Sequence, residues 1–278
     1  MKLADNIPRR PEMRSGFRMF GGKLYFTWRR YLTWLWQLNL YAGSVRENPL
    51  PFMIYRHKTP LLRHLRNIDM WLQYNKITNL KISTARINGI TIKPGQVFSF
   101  WRSVGKPAKR KGYSEGMVLC NGSFYPEVGG GLCQLSNLIY WMTLHTPLTV
   151  TERWRHNYDV FPDADRTQPF GSGATVAYNY VDLQIRNDTN ADFQLLVWVG
   201  DRYLHGEWRS EVPQNFIYEV YETEHRFTHE LWGGYMRHNI LRRKVFNMDG
   251  SRVTDEFVTE NHAIMMYEPM LPSLKQGF

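Results

Sequence analysis

Apolar positions recur at helical spacing near the start of the chain. Residues 25–40 are rich in Leu and Trp, and residues 60–74 place Leu61, Leu65, Ile68 and Leu72 three or four apart, the pattern of a helix with one apolar face. Pro49 and Pro51 interrupt the two. Near Leu80 the texture changes. Runs at 80–83, 90–92 and 96–100 are short and β-rich, separated by Asn88-Gly89 and Pro94-Gly95. A strand at 117–120 ends at Asn121-Gly122. A helix then runs from Gly129-Gly130-Gly131 to about His145, closed before Pro147. Strands follow at 149–161, 174–185 and 193–199. The runs 216–227, 235–246 and 251–267 read as an antiparallel meander, with Asp249-Gly250 as a hairpin signal. The pattern predicts an α+β fold. It has an N-terminal helical region (1–79), a central mixed domain (80–210) with a Cys-bearing helix packed on an antiparallel sheet, and a C-terminal β-meander (211–278).

Composition narrows this picture. The 278 residues are 43% apolar and 22% charged, which excludes a disordered chain and a membrane bundle. Two cysteines, Cys120 and Cys133, exclude a disulfide-rich scaffold and a four-Cys zinc site. The net charge of +10 fits generic solubility, or an acidic partner such as nucleic acid, anionic lipid or an anionic wall polymer. The basic loop at 106–111 has no interleaved aromatics, so nucleic acid is not expected. The basic N-terminus lacks an apolar run behind it, so no signal peptide is read. The segment 31–42 is too short to span a bilayer. A cytoplasmic location is the default expectation. The stretch 23–40, with Trp28, Tyr31, Trp34, Leu35 and Trp36 beside basic residues, reads first as a core helix. The alternative is an interfacial helix lying on an anionic membrane.

The run Gly129-Gly130-Gly131-Leu132-Cys133-Gln134-Leu135-Ser136 carries the candidate chemistry. Glycines before a helix allow close approach and positive φ. Unpartnered amides at a helix start can stabilise a thiolate or an oxyanion. Leu135, Leu138, Ile139 and Met142 form an aliphatic stripe, which leaves Cys133 beside Ser136, Asn137 and Tyr140 on a polar face. Such a face lines a cleft or packs on another element through hydrogen bonds. The bland alternative is a small buried hydrophobe behind a tight turn. Cys120, at a strand end, reads as structural.

A cysteine nucleophile needs a base and an orienting group. Strand alternation over 149–161 would set Glu152, Trp154, His156 and Tyr158 on one face and Arg153, Arg155, Asn157 and Asp159 on the other. His156 is the candidate base and Asp182 its orienter, with Asp163 and Asp165 as loop alternatives. The order Cys, His, polar residue is that of papain-like and transglutaminase-type enzymes, by analogy only. His225 and His229, near Glu222 and Glu230, fall on a strand and are not expected to hold a metal. Neither a P-loop nor a dinucleotide fingerprint occurs, so no cofactor is expected.

Four segments together resemble the VanW family: Pro94-Gly95-Gln96-Val97-Phe98-Ser99-Phe100, the glycine–cysteine run at 129–136, Glu152-Arg153 with His156, and Asp182-Leu183 with Asn187. The resemblance covers about 80–199, and the family's short form extends over nearly the whole chain. It implies a link to glycopeptide-antibiotic resistance and to the bacterial cell envelope, with no established reaction. Many members read Gly-x-Asp-Ala where this chain has Gly171-Ser172-Gly173-Ala174. Larger members also carry an N-terminal anchor, and none is read here.

Two functions follow as expectations. One is a thiol-dependent amidase or acyl transferase on wall-related peptides. Cys133 would be the nucleophile, His156 the base and Asp182 the orienter. Amides of residues 132–134 (Leu132, Cys133 and Gln134), reached over Gly130 and Gly131 and flanked by Ser136, would form the oxyanion site, and Arg153 or Arg155 would hold a substrate carboxylate. The other is a non-catalytic accessory or binding protein for a wall precursor or an anionic membrane surface. The oligomeric state is not read from the sequence.

Overall fold

A computed structural model describes residues 15–62, 69–120, 122–160 and 168–267. In chain order the elements begin with α1 (Gly16–Trp36), β1 (Ser44–Val45), β2 (Phe52–Pro60), α2 (Met70–Ile87), β3 (Ile90–Ile92), β4 (Val97–Ser99) and α3 (Phe100–Val104). Next come β5 (Glu115–Cys120), β6 (Ser123–Val128), α4 (Cys133–Thr143), β7 (Thr149–Glu152), β8 (Tyr158–Asp159) and β9 (Gln184–Arg186). The last are β10 (Phe193–Val199), β11 (Tyr203–Ser210), β12 (Phe216–His229), β13 (Tyr235–Asn247) and β14 (Arg252–Met265). The fold is α+β.

The main sheet has the order β1-β3-β10-β11-β2, with antiparallel pairs throughout. Along β10 and β11, Phe193, Leu195, Val197, Leu204 and Trp208 point to one side and are buried, the period-two pattern of a half-covered sheet. Helices α2 and α4 pack on this sheet. The α4 stripe of Leu135, Leu138, Ile139 and Met142 is fully buried there. Gly206 of β11 admits it, since a Cβ at that position would lie 2.6 Å from Met142 Cε. Strands β4-β9-β7 form a second sheet and β5-β6 a hairpin. The C-terminal meander β12-β13-β14 turns at Gly250 (φ 85°) and takes β8 as a parallel fourth strand.

Four local expectations are corrected. Of the helix expected over 60–74, Pro60 instead ends the edge strand β2, paired with β11, and the described part from Met70 on opens α2. The run 80–83 lies inside α2, as does residue 79. The inner face of α2 comprises Leu72, Gln73, Lys76, Asn79, Leu80, Ser83, Thr84 and Ile87. Its spacing is helical, but its polar members hide the stripe. Finally, the strand expected over 149–161 is two short pieces, β7 and β8. The strand expected over 174–185 narrows to β9, preceded by single bridges at Thr175 and Ala177. Leu65, Ile68, Asp163 and Asp165 lie outside the described residues.

Helix α1 is also corrected. Trp34 is its one buried residue, so α1 is a surface helix rather than a core helix.

Candidate functional site

The triple glycine is a packing device. Gly129 and Gly131 have φ of 84° and 92°, a region that L side chains disfavour. Side chains at these positions would also overlap neighbours. A Cβ at Gly129 would lie 2.8 Å from Pro107 Cγ, and one at Gly131 2.8 Å from Lys76 Cδ. Gly130 faces the backbone of Gly116 on β5, with Gly116 Cα 2.8 Å from a Cβ at 130. Asn79 of α2 clamps the junction. Its Nδ2 donates to Gly130 O at 2.9 Å and to Ser114 O at 3.0 Å, and its Oδ1 accepts from Ser114 N at 2.9 Å.

The polar face of α4 packs through hydrogen bonds. Ser136 Oγ donates to Ala174 O at 2.6 Å, and Ala174 N donates to Asn137 Oδ1 at 2.7 Å. The Cys133 thiol donates to Val176 O at 3.7 Å. Part of the residue remains exposed, yet burial pushes the thiol pKa up. A nucleophile needs the opposite shift. The Gln134 amide donates to Gly131 O at 3.1 Å, and its side chain donates to Thr59 Oγ1 and Pro60 O at 3.0 and 2.8 Å. Leu132 is buried.

The other expected partners lie in separate networks. His156 is half-buried between β7 and β8, where burial lowers its pKa. Among the described residues, neither the Cys133 thiol nor the Asp182 carboxylate is hydrogen-bonded to it. Asp182 is fully buried. It accepts from Ser99 Oγ at 2.6 Å, Trp101 N at 2.9 Å and Gln184 Nε2 at 3.2 Å, and so ties β4 and α3 to β9. The structure does not join Cys133, His156 and Asp182 into a hydrogen-bonded relay. The two arginines expected to hold a substrate carboxylate also bond to protein groups. Arg153 Nε donates to Gly173 O at 2.9 Å, Nη1 to Thr259 Oγ1 at 3.1 Å and Nη2 to Gly171 O. Its guanidinium also lies over the Tyr140 ring at 5.0 Å. Arg155 Nη1 donates to His262 O. Both arginines turn inward to hold β14 and the 171–173 loop, and this breaks the regular strand.

Asp182 yields a pH prediction. Burial raises its pKa to about 6, above the ordinary carboxylate value, so folding favours its protonated form. That contribution is full below about pH 4 and is lost as pH rises through its folded value. The stability of the wild type minus that of Asp182→Asn, from urea titrations, is expected to fall across this window. A flat difference would contradict it.

The surface feature that stands out is α1. At roughly 100° per residue, Thr27, Arg30 and Trp34 face the protein body. Arg30 Nη2 pairs with Glu152 at 2.6 and 2.7 Å and reaches Tyr180 O at 3.2 Å. Tyr31 OH meets Tyr178 OH at 2.9 Å. The opposite arc, roughly 120° wide, carries Phe17, Leu24, Tyr25, Trp28, Leu32, Leu35 and Trp36, all exposed. Arg18 and Arg29 run along one edge of it, and α1 contains no Asp or Glu. Among the described residues no helix is long and apolar enough to cross a membrane.

Over 227 residues the chain is 32% identical to the vancomycin B-type resistance protein VanW of Enterococcus faecalis, covering 82% of each. The chain belongs to the VanW family. The family profile described as "VanW like protein" matches residues 75–209. A second relative of this chain, the uncharacterized protein YoaR of Bacillus subtilis, is 29% identical over 112 residues, 40% of this chain and 35% of its own. No solved structure matches. Gly173 lies against Asn137 of α4. A Cβ there would lie 2.6 Å from Asn137 Oδ1, so Gly173 and the Asn137–Ala174 bond belong together. None of these contacts was legible from spacing. The one signal was the polar face of α4, which marked a hydrogen-bonded surface without naming its partner.

The thiol environment predicts slow chemistry. Alkylation of Cys133 is expected to titrate above the free-thiol value of about 8.5, monitored as rate against pH by mass spectrometry. A midpoint below about 7.5 would contradict this and favour a nucleophilic role.

Proposed function

We propose that this VanW-family chain serves glycopeptide resistance as a non-catalytic accessory protein docked on an anionic membrane surface through α1. The carrying observation is the exposed arc of seven large apolar side chains on α1, edged by Arg18 and Arg29. Soluble proteins seldom leave such a continuous patch uncovered. Trp and Tyr suit the headgroup boundary, where a ring buries its body and keeps its polar tip wet. The absence of acidic residues from α1 complements anionic lipid. Because the docking face and the outer arc are opposite sides of one helix, α1 can lie in the interface without leaving the body. The thiol-dependent alternative has less support, since Cys133, Asp182 and Arg153 all bond to protein groups.

Co-sedimentation with phosphatidylcholine vesicles, with and without phosphatidylglycerol, tests the proposal. Retention on the anionic vesicles is expected at low salt, with weakening near 1 M, where the Debye length falls to about 3 Å. Failure to sediment at low salt would overturn it.

A further inference from the structure

The basic loop that follows α3 turns Lys106, Lys109 and Arg110 to the surface. Residues 106–111 carry Lys106, Lys109, Arg110 and Lys111, and Arg86 from the last turn of α2 stands beside them. A Cβ built on Gly105 would lie 3.7 Å from Lys111 Nζ and 4.0 Å from Arg86 Nη2, so both cations border one point. Lys111 Nζ donates to Lys106 O at 2.8 Å, closing the loop on itself. Among the described residues, Glu115 pairs with Lys109 at 2.9 Å, and no carboxylate pairs with Arg86, Lys106, Arg110 or Lys111. Burial together with Arg86, Arg110 and Lys106 pushes the Lys111 pKa down, the mark of crowded, uncompensated positive charge.

The loop is also held in place. Gly105 and Gly112 bound it with φ of 74° and 85°, and Pro107 packs on Gly129 of the triple-glycine turn. Its position relative to α1 is set by α3, whose Arg102 Nη1 donates to Trp34 O at 3.4 Å. Gly105 follows Arg102 by three positions, so α3 links the start of the loop to the last turn of α1.

We infer that Arg86, Lys106, Arg110 and Lys111 form a site for a phosphomonoester or diphosphate group carried on a membrane lipid. Such a group brings two or more negative charges and several acceptor oxygens, matching four unpaired cations. A lone solvated basic face would not need a loop closed by its own lysine and pinned by a proline. The lipid assignment rests on the membrane reading of α1; binding of the phosphoryl group itself does not.

Titration calorimetry with inorganic pyrophosphate tests the site directly. The double variant Lys106→Gln with Arg110→Gln changes two exposed side chains and should keep its thermal midpoint. It is expected to bind pyrophosphate at least about tenfold more weakly than the wild type, and equal affinities would overturn the site. In a vesicle arm, the wild type is expected to prefer phosphatidic acid over an equal amount of phosphatidylglycerol, and the variant to lose that preference. Pyrophosphate binding without any lipid preference would assign the site to a soluble phosphate and overturn the lipid source. Tighter binding of a single-stranded oligonucleotide, lost in the same variant, would overturn it in favour of nucleic acid. Substitutions on the outer arc of α1 should leave the pyrophosphate titration unchanged, so failure of the membrane reading and failure of this site are distinguishable.

Discussion

Gly130→Ala is expected to cost about 4 kcal/mol of stability or to abolish folding, at the upper end of single-substitution effects. The reason is space, since the backbone at Gly130 is not among the positive-φ glycines. The new methyl group would overlap the Gly116 carbonyl, with Gly116 Cα only 2.8 Å away. The opposing position is equally closed, because a Cβ on Gly116 would lie 2.9 Å from Gly130 C. Both partners are backbone, so no rotamer can relieve the contact. Neither segment can retreat freely. Gly130 N donates to Glu127 O at 2.9 Å, and the Asn79 side chain holds both Ser114 and Gly130. A loss of this size is a large share of a typical total of about 5–15 kcal/mol. The urea midpoint measures it. A wild-type midpoint would contradict the packing account of the triple glycine.

The second large effect concerns the surface. The triple variant Trp28→Ala, Leu32→Ala and Leu35→Ala is expected to lower partition onto anionic vesicles at least about hundredfold. Partial transfer of each side chain from water contributes on the order of 1 kcal/mol. The three side chains are 61%, 50% and 61% exposed, so the fold should be indifferent to their loss. A destabilised variant would show that α1 packs against something through this arc. A stable variant with unchanged partition would remove the arc from membrane binding.

How much of this was legible in the sequence depends on where polar residues lie. The α4 stripe was visible because Leu135, Leu138, Ile139 and Met142 are all aliphatic and all buried. The meander was visible because each strand is long and Asp249-Gly250 turns a hairpin. Helix α2 was hidden because Asn79, Ser83 and Lys76 occupy its inner face, where they bond to Ser114 and Gly130, to Tyr113 and to Gln73. The β7–β8 segment departed from regular alternation because Arg153 and Arg155 find acceptors on the 171–173 loop and β14. Alternation counts side chains and cannot register such pulls. Helix α1 was ambiguous for a different reason. Its outer arc is as apolar as a core stripe, and its contact with the body is made by Arg30 and Tyr31 as well as Trp34. The family motif drew attention to the glycine–cysteine turn. Its special feature in the structure is close backbone packing.

The central claim is that the outer arc of α1 lies in the bilayer interface while its inner face stays on the protein. Spin labels at Leu32→Cys and Lys23→Cys test it, since these positions fall on roughly opposite sides of the helix and both are exposed. With native cysteines replaced and anionic vesicles present, power saturation should find the label at 32 accessible to oxygen and shielded from a water-soluble nickel complex. The label at 23 should remain accessible to nickel. Nickel accessibility at both positions would contradict the account.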